Sequence, residues 1–185
     1  SDGQARSSYE MKAVALCFSV AVLLLFAVQP AHTERTASVS LKEVFKTDFL
    51  IGAAVNRRQF FEEDQRALPI IRSQFNSITP ENQLKWLLIH PQPDKYDWAG
   101  GDRYVAFGEK YGMTVIGHTL VWHRQTPPWV FDDGKGDRVD RETLLARLHD
   151  HIQAVVGRYK GRIKGWDVVN EALNADGTMR QSNWM

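Results

Sequence analysis

Four short apolar runs alternate with helix-type segments along this chain, and that alternation constrains the fold more than any other feature. The runs are Phe49–Val55 (FLIGAAV), Phe75–Thr79 (FNSIT), Thr114–Trp122 (TVIGHTLVW) and Ile163–Glu171 (IKGWDVVNE). Nearly continuous apolar strands suit a sheet covered on both faces. Gln59–Ser73 has helical spacing, and Pro69 inside it predicts a kink or two short helices. Pro80 is expected to stop the second strand, and Asp94–Gly101 carries turn residues. Tyr104–Tyr111 reads as a helix closed by Gly112. Beyond the polar loop Asp132–Asp140, Asp140 is the expected N-cap of the clearest helix, whose apolar face runs from Leu144 to Tyr159 and which Gly161 ends. Strand and helix in strict alternation mean βα units and a parallel sheet. No glycine-rich phosphate motif is present, so a barrel is favoured over a nucleotide-binding doubly wound sheet. Four strands are half of an eight-stranded barrel, and the chain reads as truncated.

The start of the chain has a different character. Ala13–Val28 is apolar apart from Ser19, follows Lys12, and is followed by Pro30, Ala31, His32 and Thr33. A positive residue, a short apolar core and small residues at a break describe a secretory signal peptide. The run is short for a membrane span, which needs about 20 apolar residues; an uncleaved anchor is the alternative. Met11 is the expected start, with cleavage near Ala31–Thr33, so residues 1–33 are assigned to targeting and residues 34–185 to a secreted or periplasmic domain. Cys17, the one cysteine, lies in the apolar run, which excludes a disulfide framework and a four-cysteine zinc site. A net charge of +1 argues against a nucleic-acid surface, and no membrane partner is expected after cleavage.

Polar residues gather at the carboxyl ends of the runs. The second run leads into Glu81, Asn82 and Lys85; the third carries His118 and ends in Trp122 and His123; the fourth ends in Asn170 and Glu171. In a parallel barrel these ends share the face that holds the active site. Carboxylate, amide, lysine and imidazole beside an indole suit a polyhydroxylated substrate: hydroxyls need donors and acceptors, and a sugar ring stacks on tryptophan. A carboxylic acid there can protonate a glycosidic oxygen. Burial and a second carboxylate would raise its pKa and keep it protonated. A metal fits poorly. His118 and His123 are an odd offset apart on a strand, His149 and His151 two apart on a helix, and neither pair has the H-E-x-x-H spacing. His149 and His151 are read as exposed helix residues, and no cofactor is expected. No G-x-S-x-G serine motif is present.

The segments FNSITPENQLKW (Phe75–Trp86), GHTLVWHRQTPPW (Gly117–Trp129) and WDVVNEA (Trp166–Ala172) resemble, in order and spacing, three signatures of glycoside hydrolase family 10, the endo-1,4-β-xylanases. The resemblance runs from about Phe49 to Met185. It implies a (β/α)8 TIM barrel, here its first four βα units, and a retaining enzyme that cuts internal bonds of β-1,4-xylan. It makes Glu171 the general acid/base and gives Asn170 the 2-hydroxyl of the sugar next to the cut. Glu81, Asn82 and Lys85 would bind sugar hydroxyls, with His118 and Trp122 lining the same subsites. His123 would support its neighbours, Trp86 and Trp129 would pack or shape the cleft, and Trp166 and Asp167 would support the strand. Strand alternation alone would send Asn170 and Glu171 to opposite faces, so the resemblance also implies a twist or bulge there. The family's nucleophile is a glutamate on a later strand, absent from this chain, so the fragment is expected to be inactive and, with open sheet edges, to associate. Two other readings stay open: a carbohydrate-binding fragment without catalysis, and a barrel glycosidase acting on another β-1,4-glycan.

Overall fold

The computed structural model describes residues 39–185; the signal-peptide reading and Cys17 lie outside the described residues. In chain order these residues form α1 (Leu41–Val44), β1 (Gly52–Val55), α2 (Arg57–Phe60), α3 (Ala67–Gln74), β2 (Ser77–Pro80), α4 (Trp86–Ile89), α5 (Ala99–Lys110), β3 (Thr114–Trp122), a 3-10 turn at Pro128–Val130, α6 (Arg141–Arg158) and β4 (Gly165–Asn170). The strands make one sheet in the order β1-β2-β3-β4, and every pairing is parallel.

The local rules explain most boundaries. Asn56 caps α2 through a reciprocal capping box with Gln59. Asp140 accepts the Thr143 N–H at 2.7 Å at the start of α6. Gly112, with φ of 63°, turns the chain out of α5 and into β3. The segment Gln59–Ser73 is indeed two short helices, but the break precedes Pro69. Pro69 sits in the first turn of α3, where its missing N–H costs nothing. Pro80 does not stop β2 from outside; it is the last residue of the strand, paired with Val55. Gly100 and Gly101 lie inside α5 and not in a turn. A Cβ on Gly108 would come within 2.3 Å of the Val115 side chain, so this glycine lets α5 lie close against the sheet.

The core lies between the sheet and its helices, with Val55, Phe60, Ile78, Leu84, Tyr104, Phe107, Val115 and Val155 buried. The Tyr104 hydroxyl is 2.8 Å from the carbonyls of both Ile78 and Ile116, which satisfies a buried donor between β2 and β3. At the α2–α3 corner Glu62, at φ of 63°, accepts from Arg103 at 2.8 Å, from Lys110 at 2.7 Å and from the Tyr111 hydroxyl. Hydrogen bonds from Lys110 and Tyr111 hold its carboxyl down at about 2.

One expectation fails here. His149 is exposed, but His151 is fully buried. Its ring stacks on Trp86 at 3.7 Å, and its Nδ1 lies 3.2 Å from Nδ1 of buried His90. His90 Nε2 donates to the Pro93 carbonyl at 2.9 Å, so its Nδ1 is the acceptor and His151 Nδ1 the donor. Tyr96 stacks on His90 at 3.8 Å, and Trp129 and Trp184 close the nest around Trp86. Burial pushes both imidazoles down, His151 to about 3. Among the described residues no helix is long and apolar enough to cross a membrane.

Candidate active site

The strand ends bring most of the expected residues together. Asn82 follows β2, and its side-chain carbonyl accepts from Lys85 Nζ at 3.0 Å. Lys85 is the residue before α4, is nearly buried, and holds its ammonium 4.5 Å above the Trp122 ring. Burial lowers the Lys85 pKa, opposed by the negative charges of Glu81 and Glu171. The Trp122 indole N–H then donates to Glu171 Oε2 at 3.0 Å. Asn170 pairs with Trp122 across the β3–β4 ladder. Thus Asn82, Lys85, Trp122, Asn170 and Glu171 form one continuous set, with Glu81 acting on it by charge.

His118 is oriented by a separate contact: its Nδ1 lies 2.8 Å from Asp167 Oδ2. Because a carboxylate only accepts, that nitrogen carries the proton and Nε2 is left as the acceptor of the neutral ring. The peptide between His118 and Thr119 is cis. Asp167 therefore does more than support its strand. His123 Nε2 stands 3.7 Å from Glu171 Oε2, which makes it a direct neighbour of the carboxylate. Its pKa is lowered first by burial and then by the charge of Arg180. Trp86 and Trp129 pack, as the sequence suggested, and belong to the nest described above.

The expected irregularity at the fourth strand is present in two parts. Four residues of β3 (His118 to Val121) span the same stretch as three of β4 (Asp167 to Val169), so one extra residue is accommodated on β3. Glu171 itself leaves the strand at φ of 54°, in the left-handed region. Simple alternation is broken there, and Asn170 and Glu171 line one recess together. It has a volume of about 110 Å³ and is bounded also by Trp122, His123, Arg180 and Trp184. Trp184 anchors it by donating to the Trp122 carbonyl at 2.9 Å.

The expected pKa of Glu171 is wrong in direction. Its carboxyl is held below the usual carboxylate range, first by the Trp122 N–H and then by the charges of His123, Arg180 and Arg124. The side chain is about half exposed (49%), and burial opposes the shift more than any one of those charges favours it but less than the Trp122 hydrogen bond does. Arg180 and Trp184 were not singled out from the sequence. The signal for Arg180 was the Asn174-Ala175-Asp176-Gly177 turn, which folds the chain back on Glu171. Among the described residues no group of three or more His, Cys, Asp or Glu converges as a metal site would require.

The sequence profile of glycosyl hydrolase family 10 matches residues 40–185. The chain belongs to this family. Endo-1,4-beta-xylanase A of Xylanibacter ruminicola is 45% identical over 165 residues, which cover 89% of this chain and 44% of that protein. A family 10 endoxylanase from a sugarcane soil metagenome superposes with a TM-score of 0.74 at 45% identity, covering 78% of this chain and 42% of that one. Xylanase 10B of Thermotoga petrophila, solved with xylobiose, gives 0.71 at 43% identity over 79% of this chain and 44% of its own. The chain therefore spans less than half the length of these relatives. Its four parallel strands with their helices are a partial (β/α)8 barrel of the family 10 type.

Proposed function

We propose that this chain is part of an endo-1,4-β-xylanase that hydrolyses internal β-1,4-xylosidic bonds of xylan with retention of configuration. One observation carries the reading: Glu171 is seated by the indole N–H of Trp122, and the same ring carries the Lys85 ammonium on its face. A carboxyl is thereby fixed beside donors and an aromatic surface suited to a sugar, in a family whose Thermotoga petrophila member was solved with xylobiose.

Glu171 is the general acid/base and delivers its proton to the glycosidic oxygen. In the free site its pKa is lowered, which favours the carboxylate. A sugar laid over the half-exposed carboxyl expels water and adds the burial that raises a carboxylic pKa. Asn170 bonds the 2-hydroxyl of the sugar next to the cut. Glu81, Asn82 and Lys85 hold hydroxyls on the same side, His118 presents Nε2 to them, and Trp122 is the platform. The nucleophile is a second carboxylate, about 5–5.5 Å from the first in a retaining enzyme, supplied by the part of the family's length that this chain does not span. The isolated chain then binds xylo-oligosaccharide without cutting it. The apolar run Ala13–Val28 supports export of the enzyme, with residues 1–33 removed.

The test is reducing-sugar release from xylan by the 185-residue chain and by a fusion that restores the remaining strands from a relative. No release from the first and release from the second is expected, with Glu171→Gln lowering the fusion's rate by roughly 10⁴-fold or more, as loss of a catalytic-set member does elsewhere. Release by the isolated chain that vanishes in Glu171→Gln would place both carboxylates within these residues. A fusion indifferent to Glu171→Gln would sink the assignment of the acid/base.

A further inference from the structure

The left-handed turn at Glu171 has to be held, because a glutamate gains nothing from that conformation on its own. The Trp122 N–H fixes the side chain, but a side-chain contact leaves the peptide free to relax. The backbone is held from another direction. Residues 172–180 form a short hairpin with an antiparallel bridge between Leu173 and Met179. Its tip is closed by Asn174 N–H on Thr178 O at 2.8 Å, by Asp176 Oδ1 accepting the Thr178 N–H at 3.0 Å, and by Gly177 at φ of 84°. The return strand puts the Arg180 N–H on the Ala172 carbonyl at 2.8 Å. The Arg180 guanidinium then reaches the turn itself. Nε donates to the Glu171 carbonyl at 2.9 Å and Nη2 to the Leu173 carbonyl at 3.2 Å.

We propose that Arg180 is the positioning residue of the acid/base: its guanidinium clasps the carbonyls of Glu171 and Leu173 and so locks the left-handed turn that swings the Glu171 carboxyl onto Trp122. The role given to Glu171 rests on the function proposed above, whereas the clasp itself does not. A planar fork suits this task, because two donors fixed in one plane set the angle between two peptides, which a lysine ammonium cannot do. The same residue leaves a positive charge over the site, which favours the carboxylate form that must act as base when water attacks in the second half of a retaining reaction. Arg124 is the internal comparison: its charge also acts on Glu171, but it is exposed, and no hydrogen bond from it to the turn accompanies that charge.

The experiment is NMR of the isotopically labelled 185-residue chain. In the unsubstituted chain the Arg180 Nε–H should exchange with solvent roughly tenfold more slowly than that of Arg124, about one hydrogen bond's worth. In Arg180→Met and Arg180→Lys the Glu171 backbone ¹³C shifts should leave left-handed values for extended ones, and in Arg124→Met they should not. Titration reports the same release: the Glu171 carboxyl pKa rises in Arg180→Met and also, by less, in Arg180→Lys, which keeps the charge but frees the carboxyl from the Trp122 N–H. If Arg180→Met fails to fold, the exchange rates and the lysine variant decide alone. Equal exchange of the two arginines, or Glu171 shifts that ignore the loss of Arg180, overturns the proposal. Xylobiose added to the unsubstituted chain tests the other reading separately: failure to perturb Asn82, Lys85 or Trp122 counts against the function and leaves the clasp standing.

Discussion

Lys85 and Trp86 are neighbours in the chain and face two different environments. Lys85 turns its ammonium to Trp122 and the strand-end carboxylates, while Trp86 turns its ring to His151 and the aromatic nest under α4. Each region contains histidine, tryptophan and a polar pair, yet they solve the problem of charge in opposite ways. At the strand ends Glu171 stays ionised, because it is half exposed and surrounded by donors and cations. In the nest His90 and His151 have no room for charge. Their single Nδ1–H···Nδ1 bond, with His90 Nε2–H on Pro93, accounts for three of the four ring nitrogens, and His151 Nε2 is left buried without a partner. The lesson is that the same residue types hold charge where water and counter-charges reach them, and make a packing unit where neither does.

Five substitutions or conditions sharpen this contrast, from the largest effect to the smallest. Trp86→Ala empties the centre of the nest and should cost about 3–5 kcal/mol in denaturant unfolding. A loss below about 1 kcal/mol would mean the nest is ornamental. Acid comes next. His151 binds a proton near pH 6.5 once unfolded but only at about 3 when folded. Its contribution to stability is therefore complete above pH 6.5 and is lost as the pH falls from there toward 3. Between pH 6.5 and 5 the loss is about 2 kcal/mol, and it should vanish in His151→Phe. Glu62 acts in a lower window: its stabilising effect is present above about 4.5 and is lost as the pH falls toward 2, so Glu62→Gln should flatten only that limb. At the strand ends the readout is titration and not stability. Trp122→Phe removes the largest cause of the lowered Glu171 pKa, and the carboxyl should titrate higher by NMR while the unfolding midpoint barely moves. The smallest energetic effect belongs to Val169, half exposed (56%) on the outer strand β4. Val169→Lys should change stability by less than about 0.5 kcal/mol and reduce association of the chain in sedimentation. Equal association of both forms would show that the open β4 surface is not what brings chains together.

What the sequence disclosed, and what it hid, follows from how local each determinant is. Thr114–Trp122 was legible to the residue, because a β-branched run bounded by Gly112 admits little else. Asp140 was legible because a cap is a contact between near neighbours. His151 was misread although the information was there. It lies three residues after Leu148 and four before Val155, on the inward stripe of α6, and only its polar identity suggested the outside. The seven site residues were picked out by their places at strand ends, and five of them do touch or pair in sequence. The state of Glu171 was not legible, since its pKa depends on an indole from 49 residues away and on an arginine brought back by a hairpin. The extra residue on β3 was foreseen only as an irregularity somewhere near Glu171, because a bulge is a property of two strands and no single strand records it.

The strand order has a consequence for how such a chain comes off the ribosome. Among the described strands, each after the first pairs with the one made just before it. From the end of β2 at Pro80 to the end of β4 at Asn170 is roughly 5–18 s of synthesis at about 5–20 residues per second. During that interval Asn82 and Lys85 have already been made, while Glu171 does not yet exist. Asn82 and Lys85 are thus in place in the chain before the carboxyl that meets them through Trp122, and Arg180, whose guanidinium clasps the Glu171 carbonyl, follows nine residues later still.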